Sequence, residues 1–207
     1  GLAAKWIPRK GNFAVEFRKF LGYSPKRYRK TLVTLSNTVE QKMCSKQWDD
    51  IELEKVPSLA QIRYASAFER NMETKYADYV SSLVKGELKI NAGAIYPHNI
   101  TARLESASST EESLLEVQWN TLPNYMDDSK ILPIVDVSGS MGCTVGGNSS
   151  LTCMNVAIAL GLYVSDKAKG NFRDVVMTFS ESSQLVKLKG KLKQKQKQCY
   201  TMDWGMN

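Results

Sequence analysis

Asp136, Ser138 and Ser140 set one carboxylate and two hydroxyls at alternate positions, with Gly139 between the hydroxyls. A tight turn at glycine can aim all three side chains at one point. Hard oxygen donors of this kind suit Mg²⁺ or Mn²⁺. The apolar run Ile131-Leu132-Pro133-Ile134-Val135 precedes them and predicts a buried parallel strand, with Pro133 near its start. Asp136 then falls at the strand's carboxyl end, where open α/β sheets place their ligands.

Rival chemistries fit these residues less well. An acyl-phosphate phosphatase loop needs a second Asp two residues after the first, and Ser138 stands there. A phosphate-cradling loop needs Gly-Lys-Ser/Thr before a helix, whereas Gly146-Gly147-Asn148-Ser149 has no Lys. A serine-hydrolase elbow needs Gly-x-Ser-x-Gly, and here Gly139 directly precedes Ser140. His98, the only histidine, lies in a different region, which argues against a Ser/His/Asp triad.

The elements that must hold this loop follow from periodicity. Residues 1 to about 125 read as helical. Ser24-Pro25 predicts a capped helix start, with Leu32, Leu35, Val39 and Met43 on its apolar side. Val56-Pro57-Ser58 opens a second helix, and Leu59, Ile62, Phe68, Met72, Tyr76, Tyr79 and Leu83 form its buried stripe, ending near Lys85-Gly86. A turn-like stretch, 90–98, leads into a short helix around Asn99 to Ser106, with His98 read as an interior or capping residue. Thr110 is placed to cap the next helix, with Glu111 and Glu112 at its positive end. These successive helices suggest a solenoid of the HEAT type, without a clean sequence period. The polar stretch 123–130 predicts a domain boundary. Beyond the loop, the pattern predicts a helix from Leu151 to Lys169, with Val156, Leu160, Tyr163 and Val164 on its buried side. A strand over Asp174 to Ser180 and a hairpin partner over Gln184 to Leu188 complete it. Lys187, Lys189, Lys191, Lys193, Lys195 and Lys197 alternate; at strand spacing they form a charged edge that blocks unwanted pairing.

Composition bounds the function class. The 207 residues are 43% hydrophobic and 24% charged, an ordinary globular balance that allows one or two domains. The chain starts at Gly1 and stops where the α/β pattern has barely begun, so a fragment of a longer protein is expected. No apolar run is long enough to span a bilayer. Cys44, Cys143, Cys153 and Cys199 lack Cys-x-x-Cys spacing and have one histidine for company, which disfavours a zinc site. Scattered thiols point to a reducing compartment, the cytoplasm or else the nucleus. Asn99-Ile100-Thr101 and Asn148-Ser149-Ser150 match the glycosylation sequon, a pattern short enough to arise by chance. The net charge is +7 and is uneven. Arg9, Lys10, Arg18, Lys19, Lys26, Arg27, Arg29 and Lys30 crowd the first thirty residues together with Lys5, against the single acid Glu16. Such a block suggests a surface for a polyanion, RNA foremost, with a solvated helix face as the alternative.

The string Asp136-Val137-Ser138-Gly139-Ser140-Met141 resembles the metal-ion-dependent adhesion site (MIDAS) of von Willebrand factor A domains. The order of helical region, this motif and then the start of an α/β domain looks like the Ro ribonucleoprotein and its TROVE relatives. More closely, it resembles a family of Ro-like proteins with no assigned activity. The stretches carrying this likeness include Lys5-Trp6-Ile7-Pro8-Arg9-Lys10-Gly11, Thr38-Val39-Glu40-Gln41-Lys42-Met43-Cys44 and Lys55-Val56-Pro57-Ser58. Others are Ile90-Asn91-Ala92-Gly93-Ala94-Ile95-Tyr96-Pro97-His98, Leu160-Gly161-Leu162-Tyr163 and Asp203-Trp204-Gly205-Met206-Asn207.

That resemblance implies a multidomain α and α/β chain. Residues 1–125 would be a HEAT- or TROVE-like helical region, and 126–207 the first, truncated part of a Rossmann-like von Willebrand factor A domain. It implies metal coordination by Ser138 and Ser140, with Asp136 binding directly or through water, and a Thr and an Asp from later loops. Those later ligands would lie past Asn207, with Thr201 and Asp203 as nearer substitutes. The expected function is a non-catalytic, Ro-like RNA-binding module with a divalent-metal-dependent recognition site. The alternatives are a metal-dependent protein-interaction module that accepts an acidic partner, and a metal-dependent hydrolase.

Overall fold

The computed structural model describes residues 2–90, 92–126, 130–146 and 150–202. They divide into two compact units, Gly1–Val56 and Pro57–Asn207.

The first unit holds four helices, α1 (Leu2–Trp6), α2 (Gly11–Phe20), α3 (Pro25–Ser36) and α4 (Val39–Cys44). The Ser24-Pro25 signal acts as expected. Ser24 Oγ accepts the Arg27 N–H at 3.2 Å, and Pro25 occupies the first helical position. Asn37 then takes a left-handed φ of 40° and ends α3, so the expected apolar run from Leu32 to Met43 is split between two helices. Leu32 is buried while Leu35 is exposed. Tyr28 and Leu32 of α3 pack with Ala4 and Ala14, and the Tyr28 hydroxyl donates to the Pro8 carbonyl at 2.9 Å.

The second unit contains α5 (Ser58–Asn71), α6 (Glu73–Val84), α7 (Pro97–Leu104), α8 (Ser109–Thr121), β1 (Ile134–Val135), α9 (Cys153–Lys167), β2 (Val175–Thr178), β3 (Leu185–Lys187) and α10 (Leu192–Thr201). The single helix expected after Pro57 is two helices. Met72 breaks it at φ −150°, ψ 45°, although six of the seven stripe residues, Ile62, Phe68, Met72, Tyr76, Tyr79 and Leu83, are buried. Leu59 is exposed. Ser108, two residues before Thr110, caps α8 by accepting the Glu111 N–H at 3.1 Å.

β1 and β2 run parallel, with Val135 opposite Thr178, and β3 pairs antiparallel to β2 as the expected hairpin. A parallel pair needs a crossover, and α9 supplies it. The described part is therefore mostly helical with one small mixed sheet. β1 is shorter than the apolar run before Asp136 predicts, and Ile134 is exposed.

One core joins most of these elements. Ile62, Ile100, Leu104, Leu115 and Trp119 from the helices cluster with Val135, Ile158, Leu162, Val176, Leu188 and Leu192. The expected boundary at 125/126 falls inside this unit. Helices α5, α7 and α8 share their core with the sheet and its helices, unlike a HEAT array, in which each repeat meets only its neighbours. No HEAT or von Willebrand factor A fold is established by this arrangement. The lysine series is also corrected. Gly190, at φ +90°, ends the extended segment. Lys193, Lys195 and Lys197 then lie on α10, whose Leu192, Gln196 and Cys199 face inward at helical spacing. Lys195 pairs with Asp174 at 2.6 Å and Asp166 at 3.5 Å, so it is an internal tie and not part of a strand edge. Among the described residues no helix is long and apolar enough to cross a membrane.

Two polar contacts set the helix arrangement. Glu111 is 1% exposed and receives two bonds from Arg103, Nε to Oε1 at 2.6 Å and a terminal nitrogen to Oε2 at 3.1 Å. Arg103 also reaches Ser66 Oγ, and Ser108 donates to Glu69, which links α5, α7 and α8. Gln196 Nε2 donates to the Thr101 carbonyl at 3.0 Å and ties α10 to α7. Helix α9 approaches the strand closely at Gly161. A Cβ there would stand 2.4 Å from Val135 Cγ2.

Two outcomes are expected in urea unfolding. Gly161→Ala gains helix propensity of roughly 1 kcal/mol, but the clash with a buried β-branched neighbour costs more, for a net loss of about 1–3 kcal/mol. Arg103→Met strands the Glu111 carboxylate in the core and costs about 3 kcal/mol or more, whereas Arg103→Met with Glu111→Leu recovers most of that loss.

Candidate functional site

Val135 is the last residue of β1, and the chain leaves the sheet at Asp136. The Phe179 N–H donates to the Val135 carbonyl at 3.3 Å, which extends the ladder one residue toward the loop. Residues 139–142 then form a 3₁₀ turn, closed by the Met141 N–H donating to the Ser138 carbonyl at 2.9 Å. Thr152 caps α9 reciprocally with Asn155, their bonds measuring 3.1 and 3.0 Å, and fixes where the helix begins after the loop.

Asp136 Oδ1 accepts the Ser138 N–H at 2.9 Å, and Ser138 Oγ lies 3.1 Å from Ser140 Oγ. Asp136 and Ser138 are half-buried and Ser140 is exposed. Hydrogen bonds from the Ser138 N–H and hydroxyl hold the Asp136 carboxyl below the usual carboxylate range, because each favours the charged form. Adjacent ligands in an octahedral Mg²⁺ shell with bonds near 2.1 Å stand about 3 Å apart. The serine hydroxyls match that spacing, and one carboxylate with two hydroxyls fits a partial shell for a hard cation. No group of three or more His, Cys, Asp or Glu side chains that could hold a metal occurs among the described residues.

Thr178 and Ser180 lie at the carboxyl end of the neighbouring strand, with their hydroxyls 3.4 Å apart. The Thr178 hydroxyl also accepts the Gln184 N–H at 2.9 Å, so it serves the β2–β3 turn. The sequence treated both as strand residues. Their location beside the loop follows only from the parallel register. The Thr201 hydroxyl donates to the Lys197 carbonyl of its own helix at 3.1 Å. Asp203, the tail 204–207 and the sequon residue Asn148 lie outside the described residues. His98 sits in the first turn of α7 with its ring stacked on Tyr96 at 5.6 Å, and Asn99 does the capping by accepting the Tyr96 N–H.

The basic candidates all lie in the first unit. Arg9, Lys10, Lys19, Lys26, Arg27, Arg29 and Lys30 are exposed and Arg18 is half-buried. Arg9 donates to Ser36 Oγ at 2.9 Å, and Arg27 covers the Tyr23 ring at 4.3 Å. Aromatic side chains missed by the sequence reading accompany them. Trp6, Phe13 and Phe20 are 75%, 70% and 85% exposed. Phe13, Phe17 and Phe20 follow the i, i+4, i+7 spacing of one helix face, a signal that was present in the sequence.

Comparison with known proteins corrects the expected kinship. The family model described as "Domain of unknown function (DUF2828)" matches residues 12–132, and "Domain of unknown function (DUF7788)" matches 130–207. Neither is a von Willebrand factor A, TROVE or Ro model, and the likeness to those families is overturned. An uncharacterised protein of Acanthamoeba polyphaga mimivirus is 32% identical, over 99% of this chain and 39% of its own length. The chain thus spans well under half of that relative. No solved structure matches significantly. With more than half of its residues matched, the chain belongs to the family described as Domain of unknown function (DUF2828).

Proposed function

We propose that this chain is a non-catalytic binding protein whose first unit takes RNA through a basic surface studded with aromatic side chains. The observation behind this reading is the company of seven exposed cations and the bare rings of Trp6, Phe13 and Phe20. Cations hold a phosphate backbone, and aromatic faces stack on unpaired bases, so the combination suits single-stranded segments. Binding of a single-stranded RNA across a salt series tests it. Neutralising Lys26, Arg27, Arg29 and Lys30 flattens the log–log salt slope by roughly 3, about 0.7 for each lost phosphate contact. Phe13→Ala with Phe20→Ala weakens binding by about 1–3 kcal/mol per stacked base without changing that slope. A slope indifferent to the four neutralised cations removes the reading.

A second reading rests on the 3.1 Å spacing of Ser138 and Ser140 beside the Asp136 carboxylate. Here the loop holds Mg²⁺ or Mn²⁺ and the ion accepts a carboxylate from a protein partner. Asp136 is the only carboxylate or imidazole between positions 133 and 152, so the loop itself offers no base for hydrolysis. Mn²⁺ titration followed by water-proton relaxation tests the site. Asp136→Ala abolishes binding, and Ser138→Ala or Ser140→Ala weakens it. Because the Asp136 carboxyl is held low, Mn²⁺ affinity stays level around neutrality and falls only as pH enters the acid range. Equal Mn²⁺ affinity in wild type and Asp136→Ala discards this site.

A further inference from the structure

We propose that Cys143 and Cys153 form a reversible intramolecular disulfide that locks the turn at 139–142 to the first residue of α9. Their sulfurs are 3.3 Å apart across a short antiparallel bridge. Thr144 pairs with Thr152 at its centre, and two backbone bonds frame it. Val145 N–H donates to the Leu151 carbonyl at 2.8 Å, and Cys153 N–H donates to the Cys143 carbonyl at 3.0 Å. Cys143 and Cys153 therefore stand opposite one another beside the bridge, joined by one backbone bond, while the Cys143 N–H donates to the Ser140 carbonyl at 3.4 Å. Opposed residues of an antiparallel pair have Cα atoms about 4.5–5.5 Å apart, within the span that a disulfide bridges. Only the sulfurs must close.

The two thiols differ in access, which gives the exchange a direction. Cys143 is exposed and Cys153 half-buried. The hydrogen bond shared with Cys143, and to a lesser extent burial, raises the Cys153 thiol above its ordinary range. Cys143 is therefore the attacking group toward a low-molecular-weight disulfide such as oxidised glutathione. Its thiolate displaces one glutathione and leaves a mixed disulfide on Cys143. The Cys153 thiol then loses its proton, attacks the Cys143 sulfur and expels the second glutathione. Two protein thiols are oxidised, one glutathione disulfide is reduced, and both protons pass to the departing glutathiones. The remaining cysteines make internal controls. Cys44 is exposed, and burial pushes the Cys199 thiol up to about 12. Spacing alone hid the pair, since nine intervening residues match no redox motif. The inference is independent of whether the loop at Asp136 holds a cation.

The whole chain, native and in urea, is equilibrated in glutathione buffers from reduced to oxidised, then alkylated, digested and weighed. In the native protein the peptides of Cys143 and Cys153 are recovered as one linked species lacking two hydrogens. The glutathione ratio needed for half-conversion is at least ~10-fold less oxidising than in urea, because folding holds the sulfurs together. Cys143→Ser removes the linked species and leaves Cys44 unaltered. Separate glutathione adducts on Cys143 and Cys153, oxidation carried by a Cys44 pairing, or equal ratios in native and urea samples would overturn the proposal.

Discussion

The close approach of α9 to β1 at Gly161 is the constraint on which the α/β part depends. Two residues of strand pair with β2 and cannot hold the loop by hydrogen bonds alone. The helix laid across Val135 supports them, and a side chain at 161 would force Val135 or the helix to shift. The same helix meets α7 and α10 on its other faces. Its position therefore transmits the packing of the helical layer to the residue that precedes Asp136. A displacement of α9 would move Asp136 and the Thr152 cap together, because one precedes the loop and the other ends it.

Polar contacts decide how the helices meet that core, and they differ in weight. Arg103 with Glu111 is the pair whose loss matters most, because Glu111 has almost no access to water. Lys193 with Glu112 is 37% and 28% exposed in its side chains, where screening leaves about 0.2–1 kcal/mol. Glu116 does something different. Its Oε2 accepts the Leu192 N–H at 3.2 Å and so satisfies an orphan donor at the start of α10. Trp119 reaches Asp166 Oδ2 at 3.2 Å, and Asp166 in turn faces Lys195. Helix α8 thus presents Glu112 and Glu116 to α10 and Trp119 to α9, an arrangement that uses its polar side chains as positioning devices.

Local signals were legible in the sequence, and long-range ones were not. Ser24-Pro25 gave its helix because cap and first-turn proline act within one turn of backbone. The β2–β3 hairpin and the turn of Asp136, Ser138 and Ser140 were visible for the same reason. The break at Met72 was hidden because its apolar side chain continues the stripe on either side. The phase of α9 was also misjudged. Leu160 is 49% exposed although the expected stripe buries it, while Gly161, which has no hydropathic signal, faces the strand. Alternating lysines over 187–197 fit a strand and a helix equally until Gly190 is known to turn. Kinship failed for another reason. A six-residue motif specifies a local turn and its chemistry, and many unrelated chains can carry it.

The two proposed binding chemistries are set apart by the physics of their charges. A loop with one carboxylate and two neutral hydroxyls leaves a divalent ion with excess positive charge, which favours an anionic oxygen in the remaining shell. That contact is directional and short, so added monovalent salt screens it little. The cations of the first unit act in the opposite manner. They are spread over α2, α3 and the preceding segment, they are exposed, and their attraction for a polyanion comes from counterion release. One partner contact would thus respond to chelators and the other to salt. Exposed rings at Phe13 and Phe20 add a third dependence, on unpaired bases, which neither chelator nor salt reproduces.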